Sequence, residues 1–302
     1  MKDKVLVFGL VGESVFMQTD HFHETGETVT INTLHKEPGG KGFNQAITLA
    51  RLGIKTTFIG TIGNDYYTEC EKFLKKENLS YHLIVKNGCS AYACILTNKD
   101  GENQVSVYPG VNQEFDDDDV RKYEDEFVNA KYVLIQAELP ECVVKEVINI
   151  AFKHNVKVIL NPAPAQPFIK NYLDKVYLVT PNLHEFNTLF SLSCSSAYEI
   201  KKSLESIPLS QIIITLGGDG AIIKEDNVIT KLEALTQNNV VDTTGAGDVF
   251  NGALVSGLMM NKNLGEASRF AIKASSLSVT MPYVMPSIPS LEKVEKLSRW
   301  IK

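Results

Sequence analysis

The sequence predicts an α/β protein: a mostly parallel sheet with helices on both faces, three layers in all, accompanied by a small β lid. Three observations carry that expectation. Short β-branched runs recur along the chain, namely KVLVFGL (4–10), TTFIGTIG (56–63), KYVLIQAEL (131–139), VKVILNPAP (156–164), VYLVTPN (176–182) and QIIITLGG (211–218). Amphipathic segments lie between several of them. In GFNQAITLARLG (42–53), for example, Ala46, Leu49, Ala50 and Leu52 approximate a helical stripe closed by Gly53. Continuous apolar strands that alternate with helices fit a sheet buried on both faces. The third observation is a break in this rhythm. GETVTINTLHKE (26–37) alternates polar and apolar residues, and AYACILTNKDGENQVSVYPG (91–110) reads as a hairpin turning near Asp100-Gly101. Together they predict lid strands inserted at roughly 13–38 and 89–112 of a single domain spanning 1–302. A sheet poised over strand ends excludes water.

The bulk properties narrow the class. The chain has 302 residues, 44% hydrophobic and 22% charged, with a net charge of −6, an ordinary globular composition. A mildly acidic balance argues against nucleic acid as partner, because phosphate binding leaves a basic footprint. The opening apolar run is too short for a membrane span and lacks a cleavage-like segment, so it reads as a first buried strand. Cys70, Cys89, Cys94, Cys142 and Cys194 are odd in number, scattered and without a C-x-x-C pair. They are expected to be reduced thiols in a cytoplasmic protein. No G-x-S-x-G elbow supports a serine hydrolase. The six histidines form no compact cluster; His21 and His23 at most share one strand face. The acidic run FDDDDV (115–120) reads as a solvated helix start.

Four stretches carry chemistry. In DTTGAGDVFNGA (242–253), Val249, Phe250 and Ala253 continue at helical spacing, which puts Gly245, Ala246 and Gly247 at a helix N-terminus. Small side chains there allow close approach to outward-facing N–H groups, an anion hole suited to charge developing on a phosphoryl group. Asp248 at the same mouth cannot serve to bind phosphate, since like charges repel. It makes sense as a general base that takes the proton of an attacking hydroxyl. The alternative is an acidic helix-start residue after a tight turn.

EPGGKGFNQA (37–46) is not a Walker A loop, because Gly42 follows Lys41. It is a glycine turn displaying Lys41, then Asn44 on the first helical turn, a set suited to a polyhydroxylated ligand or to a plain turn before a helix. In TPNLHEF (180–186), Asn182 and Glu185 follow a strand and either organise metal-bound water beside phosphates or cap the helix. ITLGGDGA (214–221) ends a strand in a glycine turn that either borders a nucleotide or makes a hairpin into AIIK.

In this order the four stretches resemble the ribokinase-like family of sugar kinases, the PfkB-type carbohydrate kinases, over nearly the whole chain. GGKGFNQA and DTTGAGDVFNGAL look like the two signature motifs, and NPAPA, TPNLHEF and the glycine of GETV look most like ribokinases within it. The resemblance implies transfer of the ATP γ-phosphoryl group to a sugar hydroxyl, with magnesium, and a lid that mediates a homodimer. It implies Asp248 as base and Gly245, Ala246 and Gly247 as anion hole. Gly40, Lys41, Asn44 and Glu138 would contact the sugar, and Asn182 and Glu185 would serve the phosphate and magnesium region, Glu185 through water. Thr215, Gly217 and Gly220 would border ATP. Asp242, Thr244 and Ser287 occupy positions that match a monovalent-cation site, potassium in ribokinases.

Two departures accompany the resemblance. Ribokinases carry G-x-x-N-x-D after the first strand, whereas this chain has GLVGES, with Gly12 and Ser14 in those places. Losing a carboxylate that accepts two hydroxyl hydrogens is expected to weaken ribose, and Glu13 on a strand points to the opposite face. Tyr283, in TMPYVMPS, stands where ribokinases place a glycine. The altered loop, with Phe43 as a cover for a base, motivates an alternative nucleoside or modified-sugar kinase. A non-catalytic sugar- or nucleotide-sensing protein is the other alternative, and the intact GAGD argues against it.

Overall fold

The structure is a computed structural model that describes residues 2–99, 102–235, 237 and 239–298. Its strands are β1 (Lys4–Phe8), β2 (Gly12–Gln18), β3 (Thr33–Gly39), β4 (Thr56–Gly63), β5 (Ser80–Lys86), β6 (Ala91–Thr97) and β7 (Asn103–Tyr108) in the first part of the chain. They continue as β8 (Ala130–Gln136), β9 (Lys157–Asn161), β10 (Leu178–Val179), β11 (Gln211–Thr215), β12 (Ala221–Glu225) and β13 (Val228–Leu232). The helices are α1 (Lys41–Arg51), α2 (Tyr67–Leu74), α3 (Asp117–Arg121), α4 (Glu141–Lys153), α5 (Leu183–Phe190), α6 (Ala197–Ser206), α7 (Ala246–Met259), α8 (Leu264–Ser278) and α9 (Leu291–Ser298).

The main sheet has the order β13-β12-β11-β10-β9-β8-β1-β4-β5, parallel from β11 to β5 and antiparallel at β12 and β13. The sequence accounts for this. In β1 every second side chain faces one side: Val5 and Val7 join the core under α1, α2, α7, α8 and α9, while Leu6 and Phe8 join the core under α3, α4 and α5. Strand order reverses between β1 and β8, and ligands of open α/β sheets settle at the carboxyl ends beside such a switch point. The expected three-layer arrangement is therefore present.

The second sheet has the order β3-β2-β6-β7, with β2 and β6 parallel and the outer pairs antiparallel. It is the lid. The β6–β7 pairing bears out the hairpin, whose turn at Asp100-Gly101 lies outside the described residues. The alternating segment 26–37 needs correction: extended pairing begins only at Thr33, so Val29 and Ile31 precede the strand. Nor do His21 and His23 lie on a strand; His21 instead pairs with Glu27. The acidic run starts α3 as expected, Asp116 accepting the N–H of Asp119, but Asp119 itself is buried and paired with Lys86 and Lys122 rather than solvated.

Candidate active site

Most of the expected chemical residues sit at the carboxyl edge of the parallel sheet or at a helix start facing it. β3 feeds through Gly40 into α1, which opens with Lys41 and carries Asn44 and Gln45 on its first turns. Glu138 follows β8, Asn161 ends β9, Asn182 and Glu185 follow β10, and Thr215 ends β11. Asp248 stands in the first turn of α7. Helices α1 and α7 approach closely because Gly252 has no side chain: a Cβ there would lie 2.6 Å from the Thr48 Cβ. That approach brings Asn44 and Asp248, 204 positions apart, into a 2.8 Å hydrogen bond.

Asp248 is 8% exposed. Asn44 Nδ2 donates to its Oδ2, and Gln45 Nε2 donates to its Oδ1 at 3.0 Å. The Gln45 amide also donates to Asn161 Oδ1 at 3.1 Å and accepts from Gln136 Nε2 at 2.7 Å. Burial pushes the Asp248 carboxyl up to about 6, against the opposing pull of the Lys41 ammonium and the two amide donors. The group is thus mostly ionised at neutral pH yet basic enough to take a proton.

Lys41 is held by Glu138, whose Oε1 accepts from Nζ at 2.9 Å and whose Oε2 accepts from the backbone N–H at 3.0 Å. Burial alone would lower the Lys41 ammonium; the neighbouring Glu138, Asp248 and Glu185 carboxylates outweigh it and hold its pKa above the ordinary value. Asn182 and Glu185 form a full capping box at α5, each side chain accepting the other's backbone N–H at 2.8 Å. Burial pushes Glu185 up to about 7, with the Asn182 N–H and Lys41 opposing.

Gly40, Lys41, Asn44, Glu138, Asn182, Glu185, Thr215, Thr244, Gly245, Gly247 and Asp248 share one cavity of about 270 Å³. This is slightly below the roughly 300–1,000 Å³ of drug-sized sites. Its floor is polar. Its roof comes from the lid, with Ser14 and Phe16 of β2, Ala93 and Ile95 of β6, and Val105 and Val107 of β7. Buried Asn44 Oδ1 has no protein partner, which leaves an acceptor for a ligand hydroxyl. A second cavity of about 530 Å³ shares Asn182 and Thr215 with the first and includes Gly217 and Asp219.

Several expected residues lie elsewhere. Ala246 opens α7 without lining either cavity, and Gly220 is buried in the β11–β12 hairpin, where a Cβ would strike the Leu232 carbonyl oxygen at 2.0 Å. Asp242 accepts the N–H groups of Thr244 (2.8 Å) and Tyr283 (3.1 Å), and the Ser287 hydroxyl donates to the Val284 carbonyl oxygen. Both flank the loop behind Gly245 rather than the cavity itself. Phe43 is core, packed against Phe58 and Phe73, and cannot cover a base. Glu13 does point away, its carboxylate pairing with Lys36. Gln45, Gln136 and Asn161 were not foreseen; the amide next to Asn44 in GFNQA was the available signal. Among the described residues, no group of three or more His, Cys, Asp or Glu could hold a metal ion.

The sequence pattern of the pfkB family carbohydrate kinases matches residues 2–291. The chain belongs to that family. This carbohydrate kinase is a phosphotransferase with a hydroxyl group as acceptor. It is 34% identical over 305 residues to ribokinase of Staphylococcus aureus, covering 98% of this chain and 100% of that one. Its fold is similar to that of ribokinase from Thermotoga maritima, with a TM-score of 0.87, 30% identity, and 98% and 99% of the two chains covered. Arabidopsis thaliana ribokinase complexed with ribose and ATP matches with a TM-score of 0.85 and 26% identity over 98% and 99% of the chains. These relatives favour neither the nucleoside reading nor the sensing reading.

Proposed function

We propose that the kinase transfers the γ-phosphoryl group of ATP to a hydroxyl of ribose or a closely related small sugar, with Asp248 as general base. The observation that carries this reading is the position of Asp248. A buried carboxylate whose pKa stands near 6 shares one cavity with the backbone of Gly245 and Gly247 at the α7 N-terminus. Similarity to ribokinases, one of them complexed with ribose and ATP, supports the choice of substrates.

In this mechanism the sugar lies between the polar floor and the lid. Lys41, Glu138 and Asn44 receive its hydroxyls, the unpartnered Asn44 Oδ1 accepting one hydrogen. The acceptor hydroxyl approaches Asp248, which removes its proton as the oxygen attacks phosphorus. Negative charge spreading over the phosphoryl oxygens meets the N–H groups that start α7, with Gly245 and Gly247 supplying the anion hole, whereas the Ala246 N–H donates to the Thr243 carbonyl oxygen at 3.2 Å. The phosphates pass Asn182 and Thr215, which border both cavities, and the nucleotide extends toward Gly217. The lid excludes water, and transfer to water is thereby suppressed.

Magnesium fits the donor set through water. Glu185 keeps one oxygen beyond its cap and faces the cavity, and magnesium retains several waters when held by one carboxylate and substrate phosphates. It would neutralise developing charge. For a monovalent cation, Asp242, Thr244 and Ser287 offer oxygen lone pairs around the loop that follows Tyr283. We further propose a homodimer through the lid, on which Leu34 and Tyr108 are 60% and 59% exposed. The five cysteines carry free thiols, which suits the cytoplasm. Among the described residues no helix is long and apolar enough to cross a membrane.

The test is ADP release from ATP and magnesium with a panel of pentoses, hexoses, deoxy sugars and nucleosides, with and without potassium. Turnover on a free pentose supports the proposal. Turnover on nucleosides alone contradicts the substrate, and ligand binding without turnover on any member contradicts the chemistry.

A further inference from the structure

Glu37 is a buried carboxylate that the phosphoryl-transfer scheme leaves unused. It stands on β3, 6% exposed, directly opposite Ser14 of β2 and four residues before Lys41. It does not turn into the sugar cavity. Instead its Oε1 accepts the backbone N–H groups of Val284 at 2.9 Å and Met285 at 3.0 Å, and its Oε2 meets His35 Nε2 at 3.0 Å. Taking a carboxylate out of water is costly unless such donors satisfy it, so the contact is a specific one.

The loop it grips is unusual. Tyr283 has a φ of 65°, a left-handed conformation that a bulky residue keeps only where its surroundings over-determine it. Those surroundings are on the lid and at the cavity wall. The Tyr283 ring stacks on His35 at 3.9 Å between centroids and meets Phe16 edge-on at 5.4 Å, while its N–H donates to Asp242. On the other side of the loop, Val284 rests on Gly245. A Cβ on Gly245, whose own φ is 75°, would lie 2.7 and 2.9 Å from the two Val284 methyl carbons.

We infer that Glu37 is a positioning residue: by clamping the Val284–Met285 backbone it presses Val284 against Gly245, tying the lid strand that leads into the Gly39–Lys41 turn to the N–H groups at the start of α7. This rests on the reading of Gly245–Gly247 as the anion hole. A sugar that settles the turn settles β3, the clamp and the anion hole together. Loss of the clamp leaves sugar binding intact and the anion hole misplaced, and misplacement by about 1 Å costs on the order of a hundredfold in rate.

The experiment compares Glu37→Ala and Glu37→Gln with the wild type for kcat and sugar KM, with circular dichroism to verify folding. Gln keeps an oxygen for both N–H groups and is expected within about threefold of wild type in both constants. Ala is expected to lower kcat by roughly ten- to a hundredfold with KM within about threefold. Should Glu37→Ala not fold, Val284→Ala, which keeps every hydrogen bond of the clamp although Val284 also lines the cavity, is expected to lower kcat about three- to tenfold with KM within about threefold. A folded Glu37→Ala enzyme with wild-type kcat, or one in which only KM rises, overturns the clamp, as does an unaffected Val284→Ala. Absence of sugar-dependent turnover in the wild type removes the anion-hole reading and the clamp with it, whereas normal wild-type turnover isolates the result to Glu37.

Discussion

At the scale of single residues, the proposed chemistry rests on how one carboxylate is kept ionised in a buried place. Burial raises Asp248 to about 6, and the Asn44 and Gln45 amides restrain that rise by favouring the charged form. Activity is therefore expected to increase with pH as Asp248 loses its proton, with kcat/KM half-maximal near pH 6 on the acid side. Replacing Gln45 by Leu removes one donor, raises the Asp248 pKa further and should move that acid limb to higher pH. Profiles of kcat/KM between pH 4.5 and 8.5 for both enzymes check the sign, and a limb that stays in place or moves lower contradicts it. Asp248 was legible in the sequence because its whole neighbourhood is local: three small residues, the acid and a helix follow one another. Gln45 and Gln136 were not, since their partners lie 203 and 91 positions away and only the packing of α1 on the sheet and on α7 joins them.

At the scale of elements, helix starts have two duties that can be separated. The helices α5 and α8 begin with the same capping box, Asn182 with Glu185 and Asn263 with Glu266, but only the first borders the cavities. Replacing either asparagine by Ala is expected to destabilise the fold by about 0.5–2 kcal/mol. Asn182→Ala should in addition raise the KM for ATP, while Asn263→Ala leaves the kinetic constants unchanged. Thermal unfolding and steady-state kinetics on the pair distinguish capping from substrate contact. The elements themselves were largely legible, because period and length announce them: β1, β4, β8 and β11 coincide with apolar runs bounded by Gly, Pro or polar residues. The exception is the stretch before β3. Alternation there suggested a strand from residue 26, yet pairing needs a neighbour, and Gln18 at the end of β2 has its partner at Thr33.

At the scale of the whole molecule, the two sheets are parts of one device, the large one presenting acids, amides and a helix N-terminus, the small one closing over them. If the lid also joins two subunits, Leu34→Asp should shift the protein from dimer to monomer in light scattering, and an unchanged dimer mass places the interface elsewhere. What the sequence could not disclose at this scale is contact across long chain separations. Glu37 and Val284 are 247 positions apart, and neither belongs to a motif that announces the other. The departure at Ser14 was legible, and the structure places Ser14 in the lining of the cavity proposed for the sugar, as the polar residue of an otherwise apolar roof.

The proposal that Asp248 takes the proton of the acceptor hydroxyl stands or falls on one comparison. Turnover and sugar affinity are measured for the wild type and for Asp248→Asn, with ADP release as the rate and calorimetry as the binding assay. Asn, which keeps the size and polarity of the side chain but cannot accept the proton as a carboxylate does, is expected to lower kcat by on the order of a hundred- to ten-thousand-fold and to leave sugar binding within a few fold. A variant that turns over at the wild-type rate would contradict the assignment of the base.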